Sequence, residues 1–199
     1  MTRVLSVSNN ILLLASGSPR RADLLRQLGV SFDICAVDID ESPHMGENPV
    51  AYVERMAIEK SAAAQVLFGE RTILTADTAI ALDNEILGKP NSLAEAAEML
   101  RKLSGREHKV LSAVCVLRGM QNELCLSAST VRFAELDNYM ITEYLRCNES
   151  LDKAGGYAIQ GAAAAFVESI HGSYTGIVGL PLCETRQLLE RFAIPYWKK

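Results

Sequence analysis

Apolar positions fall along this chain in two rhythms. Ile11, Leu12, Leu13, Leu14 and Ala15 form a short unbroken run, as expected of a strand buried on both faces, and Ser16 closes it. Ser18-Pro19 is a helix start signal, the spacing of Leu24, Leu25 and Leu28 is helical, and Gly29 is a stop. A second strand is predicted over residues 31–37, then a polar stretch over 38–48. Pro49 opens a long helix whose apolar stripe includes Val53, Met56, Ala57, Ala64 and Leu67. Residues 72–82 read as a near-continuous core strand, joined to residues 85–87 by the two-residue hairpin turn Asp83-Asn84. Residues 92–103 have the Ala, Leu and Glu content of a helix. Residues 109–117 and 124–133 read as long strands around a turn at 119–122. Asp137 is placed to cap a helix reaching about Arg146; a strand over 164–170 and a helix over 181–192 complete the pattern. Strands alternating with helices, without repeat or linker, predict one α/β domain over 1–199, with a mixed sheet flanked by helices.

At 199 residues, 49% of them hydrophobic, such a domain can bury a sizeable core without a staple. No segment approaches the run of about 20 apolar residues that spans a bilayer, and the apolar run at 11–15 is too short for a signal-peptide core, so a cytoplasmic protein is expected. The five cysteines, at 35, 115, 125, 147 and 183, are scattered and odd in number, and read as buried small hydrophobes. A net charge of −4 argues against general affinity for nucleic acid. Any phosphate chemistry must therefore rest on local positive charge.

Ser16-Gly17-Ser18-Pro19-Arg20-Arg21 supplies such charge, in a small-residue loop that leads into a helix N-terminus, where backbone N–H groups attract anions. Two arginines in a first turn oppose the helix dipole; either a bound phosphate resolves the conflict or both extend into solvent. Lys60 lies on the apolar stripe of its helix and points either to a cleft or along the surface with its ammonium in water. Asp77 interrupts a strand that is otherwise core, and a buried carboxylate needs partners: either it caps a turn or pairs with a core lysine, or, as its cost in such a strand favours, it marks a site. Glu41 could be a second ligand for a hard cation or simply a solvated loop residue. Lys89 and Lys153 adjoin loop-shaping residues where they could meet phosphates. No P-loop lysine, Gly-x-Gly-x-x-Gly turn or Gly-x-Ser-x-Gly elbow competes, and His44, His108 and His171 read as loop residues.

Taken together, Leu14-Ala15-Ser16-Gly17-Ser18-Pro19-Arg20-Arg21, Asp40-Glu41, Glu59-Lys60, Ala76-Asp77-Thr78, Gly88-Lys89-Pro90 and Gly179-Leu180-Pro181 resemble the Maf family, in order and over some nine-tenths of the chain. The resemblance implies a mixed-sheet α/β fold with a deep cleft, like that of the ITPases. It also implies a homodimer in many members, a divalent cation (magnesium, manganese or cobalt), and hydrolysis of a nucleoside triphosphate between its α- and β-phosphates. By that resemblance Ser16, Arg20, Arg21, Lys60, Lys89 and Lys153 meet the substrate, Glu41 and Asp77 hold metal, and Asp77 accepts a proton. Arg20, Thr78 and Gln160 resemble the branch acting on dTTP and UTP; the branch acting on 7-methyl-GTP carries tryptophan, glutamine and glutamate there. One departure is Ala163, where the family often has glycine, and a positive φ there would strain it. The rival reading is a nucleotide-binding regulator of septum formation and cell division without important turnover.

Overall fold

A computed structural model describes residues 11–197. Its centre is a seven-stranded mixed sheet in the order β2-β1-β3-β5-β6-β7, with β4 also paired to β3. The strands are β1 (Leu12–Ala15), β2 (Phe32–Cys35), β3 (Ile73–Leu82), β4 (Glu85–Leu87), β5 (Glu107–Arg118), β6 (Gln121–Phe133) and β7 (Val167–His171). β1 runs parallel to β2 and β3; the other pairings are antiparallel. The helices are α1 (Pro19–Gln27), α2 (Pro49–Phe68), α3 (Leu93–Leu103), α4 (Asn138–Arg146), α5 (Tyr174–Val178) and α6 (Leu182–Arg191).

Helices cover both faces of the central strands, which is why β1 and β3 are apolar without alternation. On one face Val53 and Ala57 of α2 pack against Ala79, Ala81, Leu111 and Ala113. On the other, Leu24 and Leu25 of α1 and Leu188 and Leu189 of α6 meet Leu12, Leu14, Leu74 and Val114, while Leu100 of α3 and Ile141 of α4 meet Ile80, Val110 and Phe133. Local signals set the ends. Asn48 caps α2 by accepting from Ala51 N at 2.9 Å, Ser92 caps α3 and Asp137 caps α4. Asp83 and Asn84 take φ of 50° and 68°, the left-handed pair that a tight hairpin requires.

Several expectations need correction. The β5–β6 turn is only Gly119-Met120, because both strands run beyond the apolar stretch that marks them in sequence. The last strand starts at Val167, since Ala162–Phe166 is a 3-10 helix, and α5 has no clear sequence signal. Leu67 is 66% exposed: it lies near the end of α2, where the sheet no longer covers the stripe. Only Cys115 of the five free cysteines is buried; Cys147 and Cys183 are exposed and Cys35 and Cys125 half-buried. His108 sits inside β5 with 2% exposure rather than in a loop. Ala163 is buried without a positive φ, so the strain anticipated there is absent. Among the described residues no helix is long and apolar enough to cross a membrane.

Candidate functional site

One edge of β3 pairs with β1 only at Ile73 and Leu74, and with β4 only from Ile80 to Leu82. Between them, residues 75–79 pair with no strand on that side among the described residues, and a cleft of about 1170 Å³ opens along the gap. Side chains alternate across a sheet, so Asp77 and Thr78 leave the strand on opposite faces, yet both line this cleft because the edge is open. The loop after β1 and the first turn of α1 enter from one side, bringing Ser16, Gly17, Ser18, Arg20 and Arg21; the loop after α4 enters from another, bringing Lys153, Tyr157 and Gln160.

The α2 face of the gap is ionic. Asp77 is only 7% exposed and accepts a hydrogen bond from Lys60 Nζ at 2.6 Å. Lys60 reaches it because its position on the apolar stripe of α2 aims the side chain at β3, which is one of the two directions the sequence leaves open. The same ammonium lies 2.6 Å from Glu41 Oε1, and Lys89 Nζ donates to Glu41 Oε2 at 2.9 Å. Four charges from the loop before α2, α2 itself, β3 and the loop after β4 thus form one chain. Partial burial pushes the Glu41 carboxyl up, but the hydrogen bonds and charges of Lys60 and Lys89 outweigh it and hold the group down at about 2. The Tyr52 hydroxyl, which donates to the Glu41 backbone oxygen at 2.9 Å, is pushed up to about 12 by burial and by the charges of Asp77 and Glu41. Tyr52 has no sequence signature, since it is simply one more residue on α2.

The opposite face is organised by Arg21. It does not extend into solvent: Nε donates to Gly179 O at 2.9 Å, Nη1 to Ser16 Oγ at 3.3 Å and Nη2 to Thr78 Oγ1 at 3.4 Å. Ser112 Oγ donates to Gly176 O at 2.7 Å, so its single proton is used and Thr78 must donate to Ser112 across their 2.8 Å contact. Thr78 is left as an acceptor toward Arg21. Burial lowers the Arg21 pKa while the charges of Asp77 and Glu41 oppose this. The Gly179-Leu180-Pro181 motif therefore has a function that its sequence does not reveal, since the Gly179 carbonyl fixes Arg21. Arg20 lines the cleft with no ion pair or hydrogen bond among the described residues, and no side chain caps the α1 N-terminus beside it. That pairing of a free guanidinium with open backbone N–H groups suits an oxyanion.

Lys153 also lines the cleft and pairs with Asp152. Gln160 lines it with an exposed side chain. All the expected residues thus share one cavity. The chemistry of the donor set fits a hard divalent cation. Glu41 and Asp77 converge on one ammonium, so their nearest oxygens are no further apart than twice 2.6 Å. One or two carboxylates completed by water and phosphate oxygens is how magnesium is held. Among the described residues no group of three or more His, Cys, Asp or Glu forms a metal cage.

Beneath the loop after α4, His108 Nε2 lies 2.8 Å from Tyr157 Oη, and burial pulls the imidazole down from 6.5 to about 4. An unfolded chain binds this proton below about 6.5 and the folded one not until about 4, so stability complete at neutral pH is lost as pH falls through that interval. The urea midpoint is expected to drop between pH 7 and pH 5 by the equivalent of about 2 kcal/mol. His108→Phe should flatten the dependence; an unchanged slope in that variant would show that other groups cause it.

A model of the Maf-like protein family matches residues 11–192. A dTTP/UTP pyrophosphatase of Nitrosospira multiformis is 48% identical over 198 residues, covering 93% of this chain and 96% of its own length. A dTTP/UTP pyrophosphatase of Symbiobacterium thermophilum is 45% identical over 184 residues, covering 92% and 95%, and one of Pasteurella multocida is 46% identical over 190, covering 91% and 95%. A solved nucleoside-triphosphatase, or dITP/XTP pyrophosphatase, of Mycobacterium abscessus aligns at 17% identity and a TM-score of 0.40 over 63% of this chain and 75% of that one, too slight a likeness to argue from.

Proposed function

This chain belongs to the Maf-like family, and from that premise we propose that it hydrolyses dTTP and UTP to the nucleoside monophosphate and pyrophosphate. The observation that carries the reading is the gap in β3, where a buried carboxylate, a bridging lysine and a fixed arginine line one nucleotide-sized cleft.

In this proposal the triphosphate lies between the α1 N-terminus and the Lys60–Glu41–Lys89 chain. Ser16, Arg20, Arg21, Lys60, Lys89 and Lys153 offset phosphate charge, and Arg21, already held at three points, costs no reorganisation as charge develops. Glu41 and Asp77 would hold a magnesium, manganese or cobalt ion, which when bound supplies Lewis acidity to the attacking water and neutralises phosphate charge. Asp77 Oδ1 is engaged by Lys60, which leaves Oδ2 to accept the proton of the water. Arg20, Thr78 and Gln160 select the pyrimidine substrate. Thr78 does so from a fixed hydroxyl orientation, as its proton goes to Ser112. The working form is a homodimer in the cytoplasm.

The test is product identification after incubation with dTTP, UTP, CTP, GTP and 7-methyl-GTP, with magnesium or with chelator. The expected products are dTMP and UMP with equimolar pyrophosphate, only with metal. Orthophosphate as the product would replace the reaction class, and dominance of 7-methyl-GTP would overturn the roles of Arg20, Thr78 and Gln160. Tight binding without turnover under any metal would favour a regulator.

A further inference from the structure

The loop over residues 147–161 brings Lys153 and Gln160 to the cleft, yet its own regular structure is one short 3-10 turn, Ala154–Gly156. Its position is set from below. Tyr157 is 5% exposed, lines the cleft and packs edge-on against Phe133 with ring centroids 4.8 Å apart. Phe133 in turn meets His108 at 5.0 Å and Phe166 at 6.0 Å. Gly155 takes a φ of 67°, and its N donates to Gly88 O at 2.9 Å. A Cβ there would fall 2.8 Å from Ile80 Cδ1, so the loop sits hard against β3.

Within this apolar cluster His108 is anomalous. It is 98% buried, its neighbours are aromatic rings, and its Nδ1 has no hydrogen-bond partner among the described residues. A phenylalanine would fill the same space without burying an unpaired ring nitrogen, but it would leave the Tyr157 hydroxyl without its partner. What the imidazole adds is one bond, between Nε2 and Tyr157 Oη at 2.8 Å. That bond ties strand β5, which is part of the rigid sheet, to the residue three before Gln160.

We propose that His108 is a positioning residue for base recognition: through Tyr157 it sets the register of the Tyr157-Ala158-Ile159-Gln160 segment, and hence where the Gln160 amide meets the pyrimidine. This rests on the reading of Gln160 as the group that meets the base. One residue on, Ala158 N donates to Tyr144 Oη at 3.0 Å, so the segment has a second tether and keeps its fold when the first is lost. His108 does not itself line the cleft; its effect falls on binding and selectivity, not on the chemical step.

The experiment compares wild type, His108→Phe, His108→Gln and Tyr157→Phe. His108→Phe is expected to raise KM for dTTP and UTP roughly tenfold, leave kcat within about threefold, and narrow the preference for dTTP over CTP. His108→Gln, whose amide can reach the place of Nε2, should recover most of the loss. Tyr157→Phe, which cuts the bond from its other end, should reproduce the KM shift even if His108→Phe does not fold. Wild-type KM and selectivity in a folded His108→Phe overturn the proposal, as does His108→Gln being as impaired as His108→Phe, which would assign the effect to ring packing. Calorimetric dTTP binding in chelator keeps this separate from the hydrolysis reading. A wild type that binds dTTP without cleaving it defeats the reaction, and the same variants then test His108 on Kd alone.

Discussion

Asp77→Asn is expected to lower kcat for dTTP by about 10²–10⁴-fold, the usual contribution of a positioned general base, with little loss of dTTP binding. The substitution is isosteric. Its amide oxygen can still accept from Lys60 Nζ, and Lys60 keeps its second carboxylate, Glu41, at 2.6 Å, so no buried ammonium is stranded. In chelator, where no metal ligand is lost, the removal of a negative charge beside the phosphates should even tighten binding slightly. Pyrophosphate release at saturating dTTP, with Kd measured calorimetrically, separates the two effects. A variant that keeps more than a tenth of wild-type turnover would end the assignment of Asp77 as proton acceptor.

Lys60→Met should damage both stability and turnover, for different reasons. Asp77, 7% exposed, would lose the ammonium that compensates its burial, and breaking such a pair by removing one partner costs about 3–5 kcal/mol. Glu41 adds little to that figure, because its side chain is 40% exposed and keeps Lys89. For a chain of this size the loss corresponds to a fall in Tm on the order of 10 °C. The double variant with Asp77→Asn should regain much of the stability, since a neutral amide has no charge to strand, but none of the activity. If the double variant melts no higher than Lys60→Met alone, the cost lies in lost packing of the lysine stem.

Much of the fold was legible because its signals are local. The cap at Asp137, the prolines at 19 and 49, and the Asp83-Asn84 turn act within one turn of chain, and each sits where the pattern places it. The elements misjudged are those whose limits depend on partners. β5 and β6 run past their apolar stretches because each supplies the other's hydrogen bonds, and β7 begins only where β6 offers an edge, Phe133 against Val167.

The site divides in the same way. A carboxylate in a core strand and a lysine on an apolar stripe are anomalies of periodicity, so Asp77 and Lys60 stand out in the sequence itself. Periodicity is silent about what happens along an unpaired edge. Only the tertiary structure brings Asp77 and Thr78 to one cleft from opposite faces of β3, because β1 and β4 leave residues 75–79 of one edge open. Likewise only long-range contacts turn Arg21 back to the Gly179 carbonyl and join His108 to Tyr157, 49 residues on. The sequence by itself thus determined which elements form and which polar side chains cannot rest in a core. Where those side chains converge was decided by strand pairing and by carbonyl and ring positions, which are set by residues distant in the chain and leave no local trace.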